Sequence, residues 1–267
     1  MNTARRLLIA ATAASALAAS LGASSAALAA EPAKAVAPAA AQPSVVIVHG
    51  AFADGSDWAK VIPLLQREGV NVVAVQNPLS SLADDVAAAR RAIDDQPGKV
   101  VLVGHSWGGT VITEAGTSDK VASLVYVAAF APDQGQSTAD QGKGFPTPPG
   151  LTHLKADAQG FLRLTDVGMR EHFAQDLPAA TTAVMAATQG PIQAKAFEQP
   201  VSAAAWKTKP SWYVLSKADH MILPVQQAAM SKRIGAKVTE LDSSHVPQQS
   251  QPAAVAAVIL DAVRQSK

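Results

Sequence analysis

The stretch KVVLVGHSWGGT, Lys99 to Thr110, decides how the rest of the chain is read. Val100 to Val103 is a continuous apolar run, the pattern of a strand buried on both faces. It passes directly into Gly104-His105-Ser106-Trp107-Gly108, which has the spacing G-x-S-x-G. Gly109 and residues able to form a helix follow. Strand, sharp turn and helix in that order are the context this spacing requires, a nucleophile elbow with Ser106 at its tip. In so tight a turn a Cβ at Gly104 or Gly108 would strike neighbouring backbone. The helix start behind the serine leaves free N–H groups where negative charge can develop.

Outward from the elbow the pattern repeats. Ser44–Val48, Val70–Val75, Val121–Ala129, Trp212–Ser216 and Val238–Asp242 bring the expected strands to six. Helices are expected over Trp58–Arg67, Leu82–Asp95, Gly108–Gly116, Pro224–Ile234 and Ala253–Arg264. Such alternation implies right-handed crossovers and a mostly parallel sheet with helices on both faces, an α/β architecture. The alternation stops between Phe130 and Lys209, a stretch rich in Gly, Pro and Gln with no clear strand. It is too long for a loop in a compact domain. A helical cap inserted between two sheet strands is the expectation. Its helices are placed at Asp157–Leu164, Val167–Ala174, Ala179–Ala187 and Pro191–Ala196. The core then comprises residues 43–132 and 210–267, and the cap residues 133–209.

Arg5 and Arg6, an apolar stretch from Leu7 to about Leu21, and the small residues of Ala27-Leu28-Ala29 have the layout of a secretory signal over residues 1–30. Residues 31–42 are Ala/Pro-rich and read as a flexible lead-in. The expectation is a periplasmic or secreted protein with no stable membrane insertion once the signal is removed. The chain has no cysteine, so disulfides, thiolate metal sites and a cysteine nucleophile are excluded. Charged residues make up 16% of the chain, the net charge is +1, and no basic stripe with interleaved aromatics occurs, which argues against a nucleic-acid partner. No metal or cofactor motif is present, so neither is expected.

A serine hydroxyl needs a base to take its proton. Of six histidines, His245 leaves the last expected strand, where functional loops of a parallel sheet gather, and it follows the serine in the chain order this elbow requires. His49 reads as a structural residue of the first loop, and the side chain of His105 should point away from the hydroxyl. The acid that orients the base must come from another strand end. Asp219, three residues beyond Ser216, is the better placed, and Asp133 is the rival. An oxyanion hole needs two fixed N–H donors. Trp107, just after the serine, and Ala51, in the loop after the first strand, are the candidates. Phe52, Trp107, Phe130 and Phe145, with Met221 and Ile222 beside the acid, could line an apolar pocket, narrowed by Trp107. No cationic clamp is visible, which favours a neutral small-molecule ester.

Four segments, HGAFADGSDW (His49–Trp58), GHSWGG (Gly104–Gly109), SKADHMILP (Ser216–Pro224) and SSHVP (Ser243–Pro247), together resemble the α/β-hydrolase superfamily. Within it the chain is similar to small bacterial esterase-like members related to plant methyl esterases and hydroxynitrile lyases. The resemblance spans residues 44–265 and implies an α/β-hydrolase fold, a triad of Ser106, Asp219 and His245, and an oxyanion pair of Ala51 and Trp107. The similar lyases carry a threonine in the first loop and a lysine after the triad histidine. Ala51 and Val246 stand in those regions here, which speaks against cyanohydrin cleavage. Ester hydrolysis is the activity expected. A cofactor-free perhydrolase-like activity, or a ligand-binding protein with slow turnover, are the alternatives.

Overall fold

The computed structural model describes residues 42–266. The expected signal segment, and the lead-in except for Gln42, lie outside the described residues. Six strands form one parallel sheet: β1 (Ser44–Val48), β2 (Val72–Val75), β3 (Val100–His105), β4 (Val121–Val127), β8 (Ser211–Ser216) and β9 (Lys237–Leu241), in the order β2-β1-β3-β4-β8-β9. The helices of the core are α1 (Ile62–Arg67), α2 (Leu82–Asp94), α3 (Trp107–Ala115), α6 (Pro224–Arg233), α7 (Pro247–Ser250) and α8 (Pro252–Gln265).

The period of two along each strand divides the core into two layers. Val46, Val48, Leu102, Leu124, Tyr126 and Tyr213 face α2, α3 and α6 on one side. Val45, Ile47, Val101, Val103, Val125 and Val214 face α1 and α8 on the other. Every one of these strand residues is fully buried, which is why the strands read as unbroken apolar runs.

Two core elements differ from the sequence expectation. The helix expected from Trp58 begins as a 3₁₀ turn, Gly55–Trp58, capped by the Asp54 carboxylate accepting from Ser56 N–H at 2.6 Å. The α-helix proper starts only at Ile62. Val70, expected in β2, instead gives its N–H to the Leu65 carbonyl across the left-handed Gly69. A helix C-terminus satisfies its last carbonyls in this way, and the strand starts two residues later.

The cap departs further. It holds α4 (Asp166–Gly168), which runs on through a π-helical turn Met169–Phe173, and α5 (Ala179–Thr188). It also holds a three-stranded antiparallel sheet of β5 (Leu154–Ala156), β6 (Phe161–Leu164) and β7 (Ile192–Gln193). The helix expected over Asp157–Leu164 is a turn followed by β6. Asp157 accepts from the N–H groups of Gln159 and Phe161 at 2.8 and 2.9 Å, and Gly160 stands at φ 82°. Aspartate bonding its own turn and a left-handed glycine outweigh helical periodicity here. Likewise the helix expected over Pro191–Ala196 is β7 and a 3₁₀ turn, Ala194–Glu198.

Candidate active site

Ser106 sits between β3 and α3 at φ 52°, ψ −120°, a left-handed conformation costly for any residue with a Cβ. The surroundings hold it there. Its N–H donates to Val127 O, and its carbonyl accepts from the N–H groups of Gly109 and Phe130. A Cβ on Gly104 would lie 2.6 Å from Gly108 O, and one on Gly108 would overlap Val48 O. The elbow therefore packs backbone to backbone against itself and against the end of β1.

His245, in the loop after β9, and Asp219, in the loop after β8, are both buried, and His245 Nδ1 lies 2.7 Å from Asp219 Oδ2. Asp219 is fully engaged. Its Oδ1 accepts from Met221 and Ile222 N–H at 2.7 and 3.0 Å, and its Oδ2 also accepts from Gln227 Nε2 at 2.7 Å. Gln227, on α6, was not singled out by sequence reasoning. A glutamine on the buried side of an amphipathic helix eight residues past the acid is the signal that marks it. Asp133 is elsewhere, paired with Lys207 at 2.5 Å, and Asp242 pairs with Lys217 at 2.8 Å.

The other histidines are accounted for by structure. His49 Nδ1 faces Gly50 O at 2.8 Å and His49 Nε2 accepts from Asn77 N–H at 2.9 Å, which ties the first loop to the end of β2. His105 Nε2 donates to the carbonyl of His245 at 2.8 Å, and its ring lies 4.8 Å from the His245 ring. Burial holds His105 well below the ordinary histidine range, so it stays neutral. Where the cap meets the β8 loop, His153 stacks on His172, whose ring lies tilted against that of His220.

Among the described residues, the backbone N–H groups of Ala51 and Trp107 have no acceptor within the protein. The first loop lies against the elbow, since a Cβ on Gly50 would come within 2.8 Å of Ser106 Cβ. Two free, rigid donors beside one hydroxyl can stabilise an oxyanion.

Ala51, Ser106 and His245 open onto one cavity of about 260 Å³. Phe52, Phe130, Met221 and Ile222 line it, together with Leu162, Phe173 and Phe197, which sequence reasoning did not single out. Among the described residues, no lysine, arginine, aspartate or glutamate lines it. Phe145 does not belong to the lining. Gly144, at φ 83°, turns the chain just before it and leaves it half-buried outside the cavity. Nor does the Trp107 side chain narrow the pocket. Its indole is fully buried beneath α2, with Nε1–H donating to Asp85 Oδ2 at 2.7 Å and the ring set edge-on behind Phe197.

Two buried carboxylates flank the site, and among the described residues neither has a cationic partner. Asp57 accepts from the Gln248 and Gln249 side chains, and burial raises its pKa. Burial likewise pushes Asp85 up to about 6. A raised carboxyl pKa means the native state holds the proton more tightly than the unfolded chain, whose value is 3.8. Asp85 therefore costs nothing well below pH 4. Its cost grows as pH rises from about 4 to about 6 and levels off above that near about 3 kcal/mol. Denaturant unfolding at a series of pH values should show stability falling between about pH 4 and pH 6 and flat above that, with the drop reduced in Asp85→Asn. A flat difference between the two proteins would contradict it.

A family model described as the alpha/beta hydrolase family matches residues 45–258. The pyrethroid hydrolase of Sphingobium wenxiniae is 25% identical over 259 residues, covering 81% of this chain and 86% of its own. The putative chloroplastic methylesterase 11 of Arabidopsis thaliana is 26% identical over 253 residues, covering 82% of this chain and 63% of its own. The crystal structure of polyneuridine aldehyde esterase superposes with a TM-score of 0.71 at 22% identity, over 83% of this chain and 99% of that one.

Proposed function

This chain belongs to the alpha/beta hydrolase family, and we propose that it cleaves a neutral, fairly apolar carboxylic ester through an acyl-enzyme on Ser106. One observation carries the reading: Ser106 and the His245 held by Asp219 open onto the same cavity, and that cavity has no charged lining. The likeness to a pyrethroid hydrolase and to a putative methylesterase supports ester cleavage.

In this mechanism His245 Nε2 takes the Ser106 hydroxyl proton as Oγ bonds to the ester carbonyl carbon. The Ala51 and Trp107 N–H groups hold the resulting oxyanion. The bond from that carbon to the alkoxy oxygen then breaks, and His245 returns the proton to the leaving alcohol. Water repeats the sequence on the acyl-enzyme and releases the acid. Asp219 stays a carboxylate throughout, fixing the imidazole with Nδ1–H toward itself and stabilising the imidazolium. A cavity of about 260 Å³ suits a small substrate, near the lower end of ligand sites. The signal read in residues 1–30 extends the proposal to action outside the cytoplasm, which fractionation of cells expressing the full chain would check.

The direct test is a fluorophosphonate probe applied to the purified protein, followed by digestion and mass spectrometry. One phosphonyl group on the peptide containing Ser106, with turnover of p-nitrophenyl esters of short acyl chains, is expected. A folded protein that takes up no probe and turns over no ester would sink the proposal.

A further inference from the structure

Asp85 is fully buried, lies in the first turns of α2, and has no cation beside it. Its two oxygens serve different partners. Oδ2 accepts from the Trp107 indole N–H at 2.7 Å, and Oδ1 accepts from Leu79 N–H at 2.8 Å. Leu79 is itself left-handed at φ 58°, and its carbonyl accepts from Gln193 N–H in the cap strand β7 at 2.8 Å. One carboxylate thus ties together the residue after Ser106, a strained turn and the edge of the cap.

An indole N–H buried at this spot needs an acceptor, and any backbone carbonyl or neutral side-chain oxygen would satisfy it. A carboxylate is the expensive choice, since burial disfavours its charge and pushes its pKa to about 6. What a carboxylate adds is a shorter, stronger and more directional hydrogen bond. Fixing the indole fixes the side-chain torsions of Trp107, and with them the peptide whose N–H is free beside Ser106. The N-terminus of α2 helps to hold the negative charge.

We propose that Asp85 is a positioning residue: it clamps the Trp107 indole so that the Trp107 backbone N–H is aimed at the oxyanion. The clamp rests on the reading of Ser106 as nucleophile and of that N–H as an oxyanion donor. It predicts an effect on the transition state and not on substrate binding. In Asp85→Asn the charge-assisted bond to the indole is lost whichever way the amide turns: its oxygen gives the indole only a neutral bond and sets the NH₂ against Leu79 N–H, or the reverse. In Trp107→Phe the shape of the ring is roughly kept and the donor is lost.

Steady-state hydrolysis of p-nitrophenyl acetate, fluorophosphonate labelling rates and melting temperatures would be measured for wild type, D85N, W107F and the D85N/W107F double variant. Asp84→Asn is the comparator. Asp84 is an exposed neighbour on the same turn that binds only the hydroxyls of Ser80 and Ser81 and the N–H cap. D85N and W107F are each expected to lower kcat about ten- to hundred-fold, with KM within about two-fold. The double variant should be no slower than the slower single one, because D85N weakens or removes the same contact that W107F removes. D84N should lower the melting temperature without lowering kcat. A folded D85N with wild-type kcat, or losses that multiply in the double variant, would overturn the clamp. If D85N does not fold, W107F decides: lowered kcat with KM held supports the clamp, and unchanged kcat overturns it. Wild-type protein that neither labels nor turns over would instead remove the nucleophile reading, and the clamp with it.

Discussion

Asp219→Asn is expected to lower kcat about 10⁴-fold while leaving the protein folded. The reason is the donor count around this one carboxylate. Oδ1 accepts from two backbone N–H groups, and Oδ2 accepts from Gln227 Nε2 and faces His245 Nδ1 at 2.7 Å. All four partners present donors. An asparagine must turn its NH₂ toward one pair of them. Facing the Met221 and Ile222 amides, it would set an N–H against two N–H groups and break the turn that carries it. Facing His245 is the milder choice. The imidazole must then accept at Nδ1 and carry its proton on Nε2, where it can no longer take the Ser106 proton. The backbone bonds survive at Oδ1, so the melting temperature should change little by comparison. Kinetics with p-nitrophenyl acetate, beside a thermal melt, separate the two quantities. Wild-type kcat in D219N would show that Asp219 does not set the tautomer of His245. Asp133→Asn provides the contrast: Asp133 is partly exposed and bound to Lys207, and its loss should leave kcat unchanged.

Gly108→Ala should damage both stability and turnover. The added Cβ would overlap Val48 O and lie 2.9 Å from His49 O, so it meets main chain that no rotamer change can move. The start of α3 would have to lift off the end of β1. Overpacking against rigid backbone costs about 3 kcal/mol, or roughly 6–12 °C in a domain of this size. The lift also moves Trp107 N–H relative to the loop carrying Ala51, and so disturbs the oxyanion pair proposed for Ser106. A misplacement of that order costs about 100-fold in rate. Gly98→Ala is the control: nothing lies within 4 Å of its added Cβ, so it should change stability by no more than about 0.5 kcal/mol. A melting temperature for G108A equal to that of wild type would mean that the elbow and β1 are not in direct backbone contact.

The parallel sheet was legible because its strands are buried on both faces. Val45 to Val48 and Val100 to Val103 are apolar without alternation, and few other structures tolerate such runs. The elbow was legible because glycine spacing reports backbone crowding directly. Each added Cβ at Gly104, Gly108 and Gly109 meets main-chain atoms of the same or a neighbouring element. The cap was misread where local chemistry competed with periodicity. Asp157 and Gly160 close a hairpin inside a stretch whose apolar spacing suggests a helix. Phe145 was expected in the cavity because it is aromatic and nearby in sequence, yet the turn at Gly144 carries it elsewhere. Trp107 was expected to line and narrow the pocket, yet it points beneath α2 to Asp85.

The sequence by itself determined the α/β architecture, the strained turn at Ser106, and the candidates at the ends of β8 and β9. Each of these is written in local spacing: apolar runs, glycines flanking a serine, and polar residues just past a strand. Only the tertiary structure decided that Asp219 and not Asp133 faces His245, that Gln227 and His105 buttress the pair, and that Asp85 holds the indole behind Ser106. Those contacts join residues from 8 to 140 positions apart. They depend on how helices pack on the sheet, and a one-dimensional pattern carries no record of which buried polar atoms meet across that packing.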